Sequence, residues 1–75
     1  MKTKLEALTE LRDRIFSRLV ENEANLEYWK LITSKKRANS DKYLVAKDKI
    51  AINEEGIKED KVFLQVIDGM IKRLN

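Results

Sequence analysis

The strongest constraint in this sequence is an apolar residue at every seventh position throughout its second half. With no proline and only two glycines among 75 residues, the chain contains few residues that break helices. A strict seven-residue repeat is typical of an α-helix that supercoils against a neighbouring helix. The repeat comprises Tyr43, Ile50, Ile57, Leu64 and Ile71, with Ala46, Asn53, Asp60, Ile67 and Leu74 at the companion positions. We therefore predict one long helix over about residues 41–74.

The first half of the chain carries a second helical pattern. Thr3 and Glu6 have the spacing of a capping box, in which a threonine hydroxyl caps the first turn of a helix. Apolar residues then recur at steps of three or four, or multiples of these, which places them on one stripe of a helix. The stripe consists of Leu5, Leu8, Ile15, Leu19, Leu26 and Trp29. Arg12 and Asn22 interrupt it, and we predict a first helix over about residues 4–36.

A short polar segment over about residues 37–40 separates the two patterns. Asn39 suits the left-handed end of the first helix, and Ser40 or Asp41 can cap the second. Because this connection is short, the helices are expected to lie antiparallel, as an all-α helical hairpin that forms one domain over residues 1–75. An alternative is a break near Gly56 that yields a third helix. The repeat keeps its register through this glycine, which favours the continuous helix.

The predicted turn also predicts which residues face each other. Folding the chain about residue 38 or 39 brings Leu19 near Ile57. The same alignment places Asn22 opposite Asn53 and Glu54. Polar residues at core positions can fix the register of two helices at some cost in stability. The simpler interpretation is a loosely packed and partly hydrated stretch.

The apolar residues outnumber the positions of a single seam between two helices. Those outside the seam are Leu11, Phe16, Val20, Leu31 and Ile32 in the first helix, and Val62, Phe63, Val66 and Met70 in the second. Monomeric proteins seldom expose apolar patches of that size. We therefore predict a homodimer in which two hairpins form a four-helix bundle. The alternative is a groove for a helix of a different protein. The predicted interface residues are Phe16, Val20, Phe63, Val66 and Met70.

Positive charge is concentrated around the hairpin tip. Residues 30–49 hold seven basic and two acidic side chains, whereas the rest of the chain holds nine basic and eleven acidic ones. Tyr28, Trp29 and Tyr43 lie close by in the sequence. Basic side chains bind phosphates and aromatic faces stack bases, so a nucleic-acid-binding accessory protein is the alternative function. Lysines that complement a helix C-terminus are the simpler interpretation. The predicted nucleic-acid contacts are Lys35, Lys36, Arg37 and Lys42.

Composition argues against catalysis and against bound cofactors or metals. The chain has no cysteine and no histidine, which removes disulfides, thiolate and imidazole ligands, and the commonest general base. It contains no glycine-rich phosphate loop and no nucleophile elbow. No apolar run approaches the roughly 20 residues of a membrane span. We expect a cytoplasmic, non-enzymatic helical interaction module that acts as an adaptor, inhibitor, scaffold or assembly factor.

Overall fold

Two long helices lie side by side and make up nearly all of the molecule. The computed structural model describes residues 1–35 and 41–74, the side chains of 41–43 excepted. Helix α1 spans Lys4–Lys35, and helix α2 spans Asp41–Leu74. They pack along their lengths into a rod of 53 × 19 × 14 Å. The predicted all-α helical hairpin is confirmed.

Ion pairs between the helices establish their relative direction. Arg12 near the start of α1 pairs with Asp68 near the end of α2, and Arg18 pairs with Asp60. Residue numbers thus rise along one helix as they fall along the other, so the two are antiparallel. The predicted turn residues Asn39 and Ser40 lie outside the described residues.

Helix α2 is continuous through Gly56, so the alternative with a third helix is wrong. Neither glycine of the chain has a positive φ, and the backbone at Gly56 is helical like its neighbours. A glycine inside a helix costs only about 1 kcal/mol relative to alanine. The apolar residues on either side of it are therefore sufficient to hold one helix. Neither helix, over its described residues, has an apolar stretch of membrane-spanning length.

The first turn of α1 is capped by the threonine that the sequence indicated. The Glu6 backbone N–H donates to the Thr3 hydroxyl at 3.1 Å, and the Ala7 N–H donates to the Thr3 carbonyl at 3.0 Å. The Thr3 hydroxyl in turn donates to the Glu6 carboxylate at 3.2 Å. The acidic side chain also complements the positive end of the helix dipole. The N-terminus of α1 is thereby fixed at the predicted residue.

The main apolar cluster lies toward the chain termini, while Leu19 and Ala46 are buried outside it. Leu8 and Ile15 of α1 are buried against Ile67 of α2, and the half-buried Leu64 and Ile71 complete the cluster. These positions are spaced by seven, or by three and four, so they share one stripe on each helix. The terminal half of the rod is therefore held together by ordinary apolar packing.

The middle of the rod is polar, and its register differs from the predicted one. Asn22 was expected opposite Asn53 and Glu54, but its amide donates to Asp60 and lies against Gly56. The contacts of Arg12 with Asp68, Arg18 with Asp60 and Asn22 with Gly56 displace the helices by two to four residues from the predicted alignment. The predicted alignment was counted from an assumed turn. It did not take into account that the buried carboxylate of Asp60 needs hydrogen-bond donors. The observed alignment supplies those donors to Asp60.

Candidate functional site

An apolar groove runs along one flank of the terminal half. Its lining contains no charged or polar side chain and consists of Leu11, Ile15, Phe63, Val66, Ile67 and Met70. Ile15 and Ile67 are buried and form its floor. The other four side chains form its walls and remain open to solvent. We refer to this set as the apolar groove.

The walls of the apolar groove are apolar side chains that remain partly exposed to solvent. Val66 is 56% exposed, Phe63 43% and Met70 42%, and Leu11 on the facing helix is 39% exposed. Each fully buried side chain of this size contributes roughly 1.5 to 3 kcal/mol relative to an exposed one. In the single hairpin these side chains are only partly buried, so they do not contribute this full amount. This flank is therefore suited to contact with another apolar surface.

Helix periodicity explains why these residues share a flank. Phe63, Val66 and Met70 are separated by three and four residues, so they form a stripe beside the core stripe of Leu64 and Ile67. Leu11 lies next to the core on α1 and faces this stripe across the seam. Helix α2 thus carries two adjacent apolar stripes. One packs against α1 inside the hairpin, and the other lines the apolar groove on the outside.

The five predicted interface residues do not share this flank. Phe63, Val66 and Met70 line the apolar groove, whereas Phe16 and Val20 do not. Phe16 follows Leu11 by five positions and lies roughly 140° away from it around α1, on the opposite side of the core. Both Phe16 and Val20 are exposed. The structure therefore divides the predicted set between two flanks of the rod.

A buried polar cluster lies beside the apolar groove in the middle of the rod. Asp60 is only 1% exposed. Its Oδ1 accepts hydrogen bonds from Arg18 Nε at 2.9 Å and from Arg18 Nη2 at 2.6 Å. Its Oδ2 accepts from Asn22 Nδ2 at 3.3 Å. Both carboxylate oxygens are thus occupied by donors from the opposite helix. We call Arg18, Asn22 and Asp60 the polar cluster.

The electrostatics of the polar cluster favour the charged form of the Arg18 guanidinium. The hydrogen bonds and the negative charge of Asp60 raise the pKa of the Arg18 guanidinium above its ordinary value, and Glu59 adds to this effect. Because that pKa is already far above physiological pH, Arg18 stays protonated over the whole range in which the protein is handled. The guanidinium therefore remains a charged hydrogen-bond donor to Asp60, which suits a structural role in aligning the two helices.

Gly56 leaves room for the polar cluster. A Cβ atom built at this position would lie 2.9 Å from Asn22 Nδ2, which is closer than ordinary contacts allow. The Asn22 amide would then have to move away from Asp60. Sequence reasoning identified Asn22 and Gly56 separately but did not connect them. A charged residue at a core position of the repeat, Asp60, was the signal that a partner had to exist on the first helix.

The opposite flank carries a second groove of mixed character. It is lined by Glu23, Leu26, Glu27, Lys30, Leu31, Ser34, Ile57 and Lys61. Its two acidic and two basic side chains balance each other. No group of three or more acidic side chains that could hold a metal ion occurs in the described residues. This groove has neither the uniform apolar lining nor the single charge sign that would favour one ligand class.

The basic tip lies largely outside the described residues. Lys35 ends α1 and is exposed. Lys36 and Arg37, two of the predicted nucleic-acid contacts, lie outside the described residues, as does the side chain of Lys42. Nearby, Trp29 is half-buried and the exposed Tyr28 meets it edge-on, with ring centroids 5.1 Å apart.

Comparisons with known proteins identify no relative of this chain. No protein-family model matches the chain, and neither the curated proteins nor the solved structures show a significant match. The function is therefore inferred from the apolar groove and the polar cluster.

Proposed function

We propose that this protein is a non-catalytic helical interaction module that self-associates through the apolar groove as a dimeric four-helix bundle. The observation that carries the proposal is a continuous, wholly apolar lining whose walls are about half exposed in the single hairpin. In this role the module acts as an adaptor, inhibitor, scaffold or assembly factor.

A second hairpin is the occupant that best fits the groove. Chains of this length have a small core, and oligomerisation is a common additional source of stability. A two-fold interface uses the same surface on both subunits, so an apolar flank is automatically matched by an apolar flank. Packing the two grooves against each other would bury Phe63, Val66 and Met70 of both copies. The resulting bundle has an apolar seam within each hairpin and a further apolar contact between the two hairpins.

The proposal is tested by the mass of the protein in solution. Light scattering over a concentration series should show a dimer for the wild type and a monomer for Phe63→Asp. The buried carboxylate at the interface would be unpaired, which opposes association strongly. Helicity measured by circular dichroism should persist, because Phe63 is not part of the buried core.

Phe16→Asp is the matched control for this substitution. It introduces the same charge in place of the same side chain, and Phe16 is 57% exposed on the opposite flank. We expect this variant to remain dimeric. A wild type that stays monomeric at all concentrations would contradict the proposal. Loss of the dimer in Phe16→Asp but not in Phe63→Asp would move the interface to the other flank.

A further inference from the structure

We infer that the two hairpins associate through an antiparallel pairing of their α2 helices, with opposite charges closing both ends of the shared apolar stripe. The inference rests on the proposed self-association and adds to it the orientation of the partner, a second copy of this chain. It is carried by a stripe of five residues on the exposed flank of α2, which we call the α2 stripe. The α2 stripe consists of Glu59, Phe63, Val66, Met70 and Arg73.

The spacing of the α2 stripe makes it a helix-pairing surface. Successive members are separated by four, three, four and three residues, which keeps them on one line along a helix. All five are exposed. The α2 stripe therefore has three apolar residues between two charged ones, and the same line continues beyond Glu59 to the exposed Ile52. The distance from end to end is about 21 Å at the rise of an α-helix.

The two ends of the α2 stripe have opposite charge. Glu59 lies at the inner end, next to the polar cluster, where Arg18 is hydrogen-bonded to Asp60. Arg73 lies at the terminal end, where it lines a small depression with Lys4. Neither Glu59 nor Arg73 forms an ion pair with any described residue. Arg73 is thus available to a partner, and Glu59 is not held in an ion pair although it is near enough to Arg18 to raise the pKa of that guanidinium.

The symmetry of the α2 stripe selects the antiparallel orientation. Glu59 and Arg73 are each seven residues from Val66. A two-fold axis at Val66 brings Glu59 against the partner's Arg73, and Arg73 against the partner's Glu59. A parallel pairing would instead bring like charges together at both ends, which is unfavourable. The three apolar residues can pack in either a parallel or an antiparallel pairing. The charges of Glu59 and Arg73 therefore determine which of the two orientations is favoured.

Charge reversal at one end at a time tests the orientation. Glu59→Arg gives a chain with two basic ends, and Arg73→Glu gives one with two acidic ends. Each reversal turns two attractions into two repulsions in the homodimer. We expect the dissociation constant of each variant alone to rise on the order of 10-fold. An equimolar mixture should form a heterodimer with nearly wild-type affinity, because all four end charges are then matched.

The measurement is analytical ultracentrifugation or light scattering of each variant and of the mixture, with circular dichroism to show that each chain stays helical. Glu54→Arg and Lys72→Glu form the control pair, since both residues are exposed and lie on the other flank of α2. These two variants should dimerise like the wild type. Added salt should reduce the differences among the variants.

The possible failures of the two proposals are distinguishable. If wild-type protein dimerises and Phe63→Asp abolishes the dimer, but the mixture does no better than its components, the antiparallel pairing is overturned while self-association stands. A dimer that is unaffected by either charge reversal overturns the pairing in the same way. A wild type that is monomeric throughout overturns both.

Discussion

The terminal half and the middle of this rod are held together by different physical means. At the terminal half, Leu8, Ile15 and Ile67 exclude water and carry no hydrogen-bonding groups. In the middle, Asp60 is buried more completely than any of them, yet it is held by donors from Arg18 and Asn22. Two adjoining stretches of the same seam thus rely on non-directional and directional interactions respectively.

The difference teaches how a two-helix seam acquires a unique alignment. Apolar side chains repeat along both helices, so sliding one helix by a heptad exchanges one apolar contact for another. Sliding it away from the observed register would leave the Asp60 carboxylate buried without donors, which is costly. We therefore expect the terminal half to contribute most of the stability and the polar cluster to contribute most of the specificity.

The largest expected effect comes from removing a core side chain in the terminal half. Ile67→Ala should lower the free energy of unfolding by about 3 kcal/mol, because Ile67 is 5% exposed and its removal leaves a cavity. That is a large share of the stability of a small domain. Urea unfolding followed by circular dichroism measures it. Leu44→Ala, at an exposed position, should change the same quantity by no more than about 0.5 kcal/mol.

Unfolding measurements are compared at one protein concentration, since self-association adds to the apparent stability. Under that condition a small effect of Ile67→Ala would mean that the terminal half is not the main source of stability. Such a result would contradict the assignment of stability to the terminal half and of alignment to the polar cluster.

An intermediate effect is expected from breaking the ion pair, and it should be asymmetric. Arg18→Met leaves the carboxylate of Asp60 buried and without its main donor, so the urea midpoint should fall. Water can enter where the half-exposed Arg18 side chain was, so the fall should be smaller than for Ile67→Ala. Asp60→Leu removes the buried charge and leaves Arg18 free to be hydrated, so its midpoint should equal or exceed that of the wild type.

The control for this asymmetry is Arg12→Met, which breaks an ion pair with Asp68 in which both side chains are about half exposed. Exposed pairs contribute little, so its midpoint should stay close to that of the wild type. Equal losses for Arg18→Met and Asp60→Leu would show that the polar cluster acts as a simple source of stability.

The smallest expected effect concerns the two glycines of α2. Gly69→Ala should raise the free energy of unfolding by about 1 kcal/mol, because alanine favours the helix and nothing lies within 4 Å of the added Cβ. Gly56→Ala should gain less, since its Cβ displaces the Asn22 amide. In an Asn22→Ala background, Gly56→Ala should recover the full gain.

A double-mutant cycle over Asn22 and Gly56, measured by urea unfolding, gives the coupling between them. A coupling near zero would mean that the Asn22 amide does not limit position 56. In that case the polar cluster would be less tightly packed than the 2.9 Å approach indicates.

Part of the fold and of the candidate site was predictable from local pattern alone. The heptad of α2 indicates a helix that passes through Gly56, and the Thr3 capping box indicates where α1 begins. The exposure of Phe63, Val66 and Met70 follows from the excess of apolar residues over one seam. These features depend on residues close together in the sequence, so periodicity and capping chemistry reveal them.

Other features were not predictable in this way. The pairing of Arg18 with Asp60 joins residues 42 positions apart, and the predicted register missed it. This pairing requires the relative rotation and translation of two helices, which no local pattern contains. The separation of Phe16 from Leu11, by contrast, follows from the spacing of residues along one helix.

The amino-acid sequence by itself determined that this protein is a pair of long helices with more apolar surface than one seam can bury. Helical periodicity is a local property, and the hydrophobic effect depends mainly on area. The tertiary structure alone decided the alignment of the hairpin. The physical reason is that the hydrogen bonds of Asp60 are short-ranged and directional, so they select one of several alignments that apolar packing leaves nearly equal.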